Sequence, residues 1–346
     1  MRIAIIFGGS SYEHEISIVS AISLKKVLHD DLIFIFLDQH REFYLIPAEK
    51  MVSTLFSSGK YKKERKLYLD NRGFVYKKNV MLERVINFAF VINLVHGRDG
   101  EDGKLSAMLQ FYQIRAITPP IEAAVISYNK ELTKEFAKRL NIKVLDYEVL
   151  NFRCRRIIPF DFHVIIKPLR LGSSIGVTIV DSQEELDYAL DVAFEFDSVV
   201  LVEPFLEGVK EYNLAGYCAD GVMHHSIVEE PHKEEFLDFE KKYMDFSRSE
   251  QVLKADISAE LEKRLQANFD KVYTGLFEGA LIRCDFFVHN DEVLLNEINP
   301  IPGSMANYLF EDFPSAIESL ANSLPHAKRP KVTYEYIHSI SQAKGK

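Results

Sequence analysis

The sequence predicts an α/β fold that opens with a doubly wound, parallel-strand unit, and three observations carry this. Residues 3–7 form a short apolar run that meets Gly8-Gly9, and mixed helical spacing follows from about Glu13 to Leu28. Strand, tight glycine turn and helix is how such a unit begins. Residues 32–37 and 88–95 are unbroken apolar runs, as expected of strands buried on both faces of a parallel sheet. Strand-like and helix-like segments alternate beyond them. A chain of 346 residues has material for about two or three domains.

Composition narrows the class. Apolar residues make up 47% and charged residues 27%, a globular balance far from that of disordered chains. The net charge of −9 argues against a nucleic-acid partner, which needs a basic face to displace counterions. Cys154, Cys218 and Cys284 are odd in number and far apart, which gives neither a disulfide framework nor a zinc spacing. They read as small buried hydrophobes. The apolar opening is too short for a signal peptide. No later run approaches the ~20 apolar residues that span a bilayer. The expectation is a reduced, cytoplasmic protein without a membrane partner.

Further elements follow in order. Residues 57–78 are basic and polar and read as surface loops or an edge hairpin. Thr118-Pro119-Pro120 interrupts the pattern and marks a first boundary. Leu132, Phe136 and Leu140, at four-residue spacing, predict a helix buried on that stripe. Residues 164–167 and 199–203 read as strands flanking a helix that opens with Ser182 and Glu185, a capping-box spacing. Leu261, Leu265, Phe269, Val272 and Leu276 form another amphipathic stripe. Between these, residues 229–256 are polar with little periodicity, either an active-site lid or plain surface. The chain from about Ser339 reads as a frayed tail.

Chemistry concentrates in a few segments. Arg170-Leu-Gly-Ser-Ser-Ile-Gly176 follows the strand ending at Lys167-Pro168. Gly172 and Gly176 would let backbone N–H groups turn toward an oxyanion, with the Ser173 and Ser174 hydroxyls as added donors and Lys167 as counter-charge. The P-loop spacing is absent, and a simple hairpin turn remains the alternative. Near the end, Arg283 and Asp285 alternate with apolar residues, as do Glu297 and Asn299. In a hairpin that pairs odd with odd residues, all four share one face. Two carboxylates and an amide oxygen suit magnesium held with substrate phosphates, and the arginine could stabilise a developing oxyanion. Glu13-His14-Glu15 and His96-Gly-Arg-Asp-Gly-Glu-Asp-Gly103 follow strand ends, where open α/β sheets bind ligands. On local grounds alone each reads rather as a capped helix start or a polar turn.

Taken together, these segments resemble the D-alanine–D-alanine ligase family over nearly the whole chain. The resemblance rests on Gly8-Gly-Ser-Ser-Tyr-Glu13-His-Glu-Ile-Ser17, His96 to Gly103, Lys167-Pro168 with Gly172 to Gly176, Phe239-Glu-Lys-Lys242-Tyr243, Arg283-Cys-Asp285, and Glu297-Ile-Asn299-Pro-Ile-Pro-Gly303. It implies the ATP-grasp fold in three domains. These are an N-terminal doubly wound parallel α/β domain (1–118) and α+β central (119–203) and C-terminal (204–346) domains enclosing ATP, with a mobile loop at about 229–256. By that resemblance Lys130 and Lys167 would bind phosphates, Lys242 would reach the γ-phosphate, Glu203 would accept the adenine amine and Glu211 would hold the ribose. Asp285, Glu297 and Asn299 would bind two Mg2+ ions, with Mn2+ able to substitute. The implied reaction joins two D-alanine molecules through an acyl phosphate, for peptidoglycan precursor synthesis. Glu13, with Ser173 and Tyr243, would hold the first D-alanine, and His96 would sit near the acyl phosphate. Arg283 and the Gly303 N–H would stabilise the tetrahedral oxyanion.

By the same resemblance Tyr243 would favour D-alanine over D-lactate as second substrate, and the family implies a homodimer. The sequence departs from the family pattern at Pro119-Pro120, Asn129, Pro204 and Tyr308. These bear on ATP affinity and on the contact to the second substrate's carboxylate. The alternatives are another ATP-grasp carboxylate–amine ligase and a non-catalytic nucleotide-binding protein.

Overall fold

The computed structural model describes residues 1–29, 31–79, 82–153, 155–231, 252–325 and 331–343. Among the described residues, eight strands form the first sheet. They are β1 (Arg2–Gly8), β2 (Asp31–Leu37), β3 (Phe43–Ile46), β4 (Arg65–Asp70), β5 (Gly73–Lys77), β6 (Glu83–Val85), β7 (Phe90–Asn93) and β8 (Ala116–Ile117). Their spatial order is β6-β5-β4-β3-β2-β1-β7-β8. β1 pairs in parallel with β2 on one side and β7 on the other. The strand order therefore reverses at β1, and the loops after β1 and β7 open onto one crevice.

Helix α1 (His14–Val27) packs Ile18, Ala21 and Leu24 on one face of this sheet. After the short α2 (Ser53–Ser57), α3 (Lys104–Phe111) packs Leu105 and Leu109 on the other. The polar stretch at 57–78 does contain a hairpin, β4–β5, and Leu67 and Phe74 on it are buried. β3 to β6 are antiparallel, so the sheet is mixed, not wholly parallel.

Helices α4 (Ile121–Tyr128) and α5 (Lys130–Arg139) follow. The Asn129 side chain accepts from the N–H groups of Glu131 and Leu132, so it caps α5 as an aspartate would. The expected stripe on α5 is rotated. Leu132 is exposed, and Thr133, Lys134 and Ala137 are the buried positions. Lys134 can be buried because it has a charge partner, a feature invisible to apolar spacing.

The second sheet contains β9 (Glu148–Asn151), β10 (Val164–Pro168), β11 (Thr178–Val180) and β12 (Val199–Pro204), antiparallel in the order β11-β10-β12-β9. Helix α6 (Gln183–Phe194) covers it with Leu186, Ala189, Leu190 and Ala193. The capping box forms differently from expectation. Ser182 makes no side-chain cap, and the Glu185 carboxylate instead accepts from the Asp181 N–H at 3.1 Å.

In the third sheet, β13 (Lys210–Ala219), β14 (Val222–Glu229), β15 (Ile282–His289) and β16 (Glu292–Asn299) run antiparallel in the order β14-β13-β15-β16. Helix α7 (Ala259–Tyr273) buries Leu265, Phe269 and Val272 as its spacing predicts, and Ser258 caps it. Helices α8 (Phe313–Asn322) and α9 (Glu335–Ala343) complete the chain. The frayed tail expected from Ser339 is thus corrected, because α9 continues through it. Ile3, Phe7 and Phe36 share one core with Met305, Leu309 and Leu320, so the C-terminal stretch packs on the first sheet. Cys218 and Cys284 are free thiols. Cys154, Lys242, Tyr243 and most of the polar 229–256 segment lie outside the described residues. Among the described residues, no helix is long and apolar enough to cross a membrane.

Candidate active site

Residues from all three sheets and their loops line a cavity of about 420 Å³. Two loops at the sheet crevice supply its first wall. After β1, the Gly8 N–H donates to Ser17 Oγ at 2.7 Å, whose hydroxyl donates to the Leu94 carbonyl at 2.5 Å. This ties the two loops together. Asp99 reinforces the tie by accepting from the Ser10 N–H and from Arg41. Glu13 stands at the head of α1, only 5% exposed. Ser173 Oγ donates to its Oε1 at 2.7 Å, and Oε2 is buried without a hydrogen bond. Burial first, and then the nearby Glu101, push the Glu13 carboxyl up to about 7.

His96 is 3% exposed. Its Nε2 lies 3.2 Å from Ser20 Oγ and its Nδ1 3.5 Å from Glu101 Oε1. Burial lowers this imidazole to about 4, so it is neutral at physiological pH. Glu101 is pushed up to about 8 by burial and by Glu297.

The Gly-Ser segment is a hairpin connection, joining antiparallel strands β10 and β11, and it also borders the cavity. Left-handed backbone falls on Ser173 (φ 57°), Ser174 (φ 56°) and Gly176 (φ 70°), not on Gly172. Gly172 is needed for closeness instead, since a Cβ there would lie 2.9 Å from Glu13 Oε1. Because its φ is not left-handed, Gly172→Ala should fold normally. We expect it to raise about tenfold the KM of a substrate held by Glu13, by displacing a carboxylate that the Ser173 hydroxyl holds. Steady-state kinetics with unchanged thermal melting would check this.

Beyond that loop, Glu203 is 1% exposed on β12, with Lys134 Nζ at 2.5 Å and Lys167 Nζ at 2.7 Å. Burial alone would raise this carboxyl, but the two lysines outweigh it and hold it down to about 2. Lys130 Nζ donates to the Leu171 carbonyl at 2.6 Å and lies 3.9 Å from Glu297 Oε1. Glu211, on β13, borders the cavity near Lys210 and Gly208.

The facing strands pair Arg283 with Asn299 and Asp285 with Glu297, so the four side chains share a face as odd-with-odd pairing requires. A bulge after Asp285 shifts the register to Phe286–Leu295, which confines that patch to the cavity end of the hairpin. The turn is tight, with Asn290 and Asp291 both at positive φ. Arg283 donates from Nε and Nη2 to the two Asp285 oxygens at 2.7 and 2.8 Å, and from Nη1 to Tyr308 Oη at 3.1 Å. Asn299 Nδ2 donates to Asp285 Oδ2 at 2.9 Å.

As a magnesium site the donor set fits in kind. Asp285, Glu297 and the Asn299 amide oxygen are all hard donors, and Glu297 faces the cavity. Asp285 would share its oxygens between metal and arginine. Gly303 begins a turn in which Ser304, Met305 and Ala306 are all left-handed, a strain of about 1–2 kcal/mol per residue.

Lys134, Glu101 and Tyr128 also line the cavity, and the sequence alone suggests no role for them. Lys134 had a signal, since it falls one helical turn after Lys130. Glu101 was visible only as part of a motif. Tyr128 had none.

Comparisons with known proteins agree along the chain. The family model described as "D-ala D-ala ligase N-terminus" matches residues 2–119, and "D-ala D-ala ligase C-terminus" matches residues 126–317. The chain is 59% identical to a D-alanine–D-alanine ligase of Sulfurovum sp. (strain NBC37-1), with all of each chain covered. It is 57% identical to one from Wolinella succinogenes at the same coverage. The crystal structure of the Helicobacter pylori D-alanine–D-alanine ligase superposes with a TM-score of 0.85 at 50% identity, covering 95% of this chain and 100% of that one.

Proposed function

The chain belongs to the D-alanine–D-alanine ligase family, and on that premise we propose that it joins two D-alanine molecules in an ATP-dependent reaction. A carboxylate is a poor acyl donor. The carboxylate of one D-alanine would attack the γ-phosphorus of ATP to give an acyl phosphate and ADP, and the amine of the second, losing a proton, would then displace phosphate from the acyl carbon. The observation that carries this reading is Glu13. A buried carboxylate with one oxygen held by Ser173 and the other unpartnered is a receptor for an ammonium group in the same cavity as Arg283.

Arg283, held by both oxygens of Asp285, would meet the tetrahedral oxyanion together with the Gly303 N–H. Lys130, Lys167 and the Ser173–Ser174 segment would face the phosphates. Glu203 would orient both lysines, so any contact of its carboxylate with adenine must share oxygens already paired with them. Glu211 would hold the ribose. Pro204 keeps its carbonyl as an acceptor. Asp285, Glu297 and Asn299 would hold two Mg2+ ions, or Mn2+, which supply charge neutralisation for the transferring phosphoryl group. His96, neutral, would border the acyl phosphate, and Lys242 and Tyr243 would close over the site and exclude water. Tyr308, whose hydroxyl accepts from Arg283, would stand at the second-substrate carboxylate contact. Domain boundaries near 118 and 203, a cytoplasmic homodimer and a role in peptidoglycan precursor synthesis complete the proposal.

Phosphate release from ATP and magnesium should require D-alanine and match dipeptide formed. L-alanine, and D-lactate with D-alanine, serve as controls. Release that no amino acid stimulates would overturn the assignment, and equal use of D-lactate would move it to the depsipeptide-forming alternative.

A further inference from the structure

We infer that Ser20 is a positioning residue for the second substrate, latching the strained Gly303–Leu309 turn to helix α1. This rests on the ligase reading above and goes beyond it, because that reading gives no role to Ser20, which touches His96 and the residue that follows Gly303. The Ser304 N–H donates to Ser20 Oγ at 3.0 Å, a contact spanning 284 residues of sequence. The same hydroxyl lies 3.2 Å from His96 Nε2, and the His96 ring also hydrogen-bonds the Ile301 backbone. Ser20 and Ser304 are 0% exposed, and His96 is 3% exposed. Ser20 and His96 therefore grip the C-terminal segment at two points, Ile301 and Ser304, on either side of Gly303.

The grip has something to hold. Ser304, Met305 and Ala306 are consecutive left-handed residues, none of them glycine, and such conformations persist only where surroundings over-determine them. Within the turn, the Met305 N–H donates to the Pro302 carbonyl and Asn307 Nδ2 to the Ser304 carbonyl. Those bonds set its shape. Met305 and Leu309 pack in the core that also holds Ile18 and Leu24 of α1, and the bond to Ser20 is the polar contact that sets the register of the turn on that helix. Gly303 and Tyr308 both border the cavity from this turn. A turn that moved off α1 would carry both away from the Glu13 side of the site.

The test is Ser20→Ala, with the two D-alanine KM values resolved from one saturation curve and the ATP KM measured beside them. Loss of one buried acceptor should raise the second-substrate KM about tenfold, with the first D-alanine and ATP values little changed. Glycine adopts positive φ without penalty, so Ala306→Gly placed in the Ser20→Ala background should recover part of that loss. A general packing defect would not respond in this way. Should Ser20→Ala fail to fold, Ser20→Cys keeps the volume while accepting weakly and serves in the same comparison. Unchanged second-substrate KM, or equal rises in all three KM values without recovery by the glycine, would overturn the role. If the unaltered chain makes no dipeptide, the proposed reaction fails and this role with it. Normal dipeptide kinetics in the serine variants would sink the role alone.

Discussion

Glu13→Gln is expected to lower kcat/KM for D-alanine by about 10²–10³-fold, the loss that follows removal of one partner from a buried ion pair. ATP binding should be preserved, because the nucleotide residues stand on other elements. The pH dependence gives a second readout. Burial and then Glu101 raise the Glu13 carboxyl to about 7 in the free protein, and only its ionised form pairs with an ammonium group. D-alanine binding should therefore draw the proton off. Below pH 7, kcat/KM should fall about tenfold per pH unit, and the glutamine variant should lose that acid limb. A variant that keeps the limb would show that another group titrates there.

Glu203→Gln should be the most damaging change to stability. It leaves Lys134, 2% exposed, and Lys167 as buried cations without a counter-charge, a defect worth about 3–5 kcal/mol. Chemical denaturation should report the loss directly. Adding Lys134→Met should recover a good part of it by removing one unpaired charge, whereas ATP affinity should stay low. The sign with pH follows from the depressed carboxyl. Its folded value of about 2 lies below the ordinary 4.5, so its contribution is present above pH 4.5 and disappears as the pH falls toward 2. An unfolding midpoint for Glu203→Gln equal to that of the unaltered chain would refute the argument.

The contrast between these two residues shows how legible the site was. Both were named by family resemblance, and the place of Glu13 after a glycine turn added only a location where ligands can bind. The partners were not. Ser173 lies 160 residues from Glu13, and no local pattern specifies that bond. An apolar stripe does not reveal Lys134 on the buried face of α5, because its charge is neutralised by Glu203 from the second sheet. The hairpin patch was the reverse case. Period-two alternation fixed which side of the strands Arg283, Asp285, Glu297 and Asn299 share, with only a bulge left to be found.

By itself the sequence determined the longer apolar strands and helices, the loops that follow strand ends, and the residue types able to bind phosphate, metal and ammonium. Each of these depends on local periodicity, glycine placement or chemical kind, which the chain carries wherever it folds. Tertiary structure alone decided the charge states and the distances. Glu13 near 7, Glu203 near 2 and neutral His96 arise from burial and from charges brought in by distant segments. The same is true of the Ser20 contact to a turn 284 residues away. Desolvation and long-range pairing are properties of three-dimensional neighbours, so no reading along the chain could supply them.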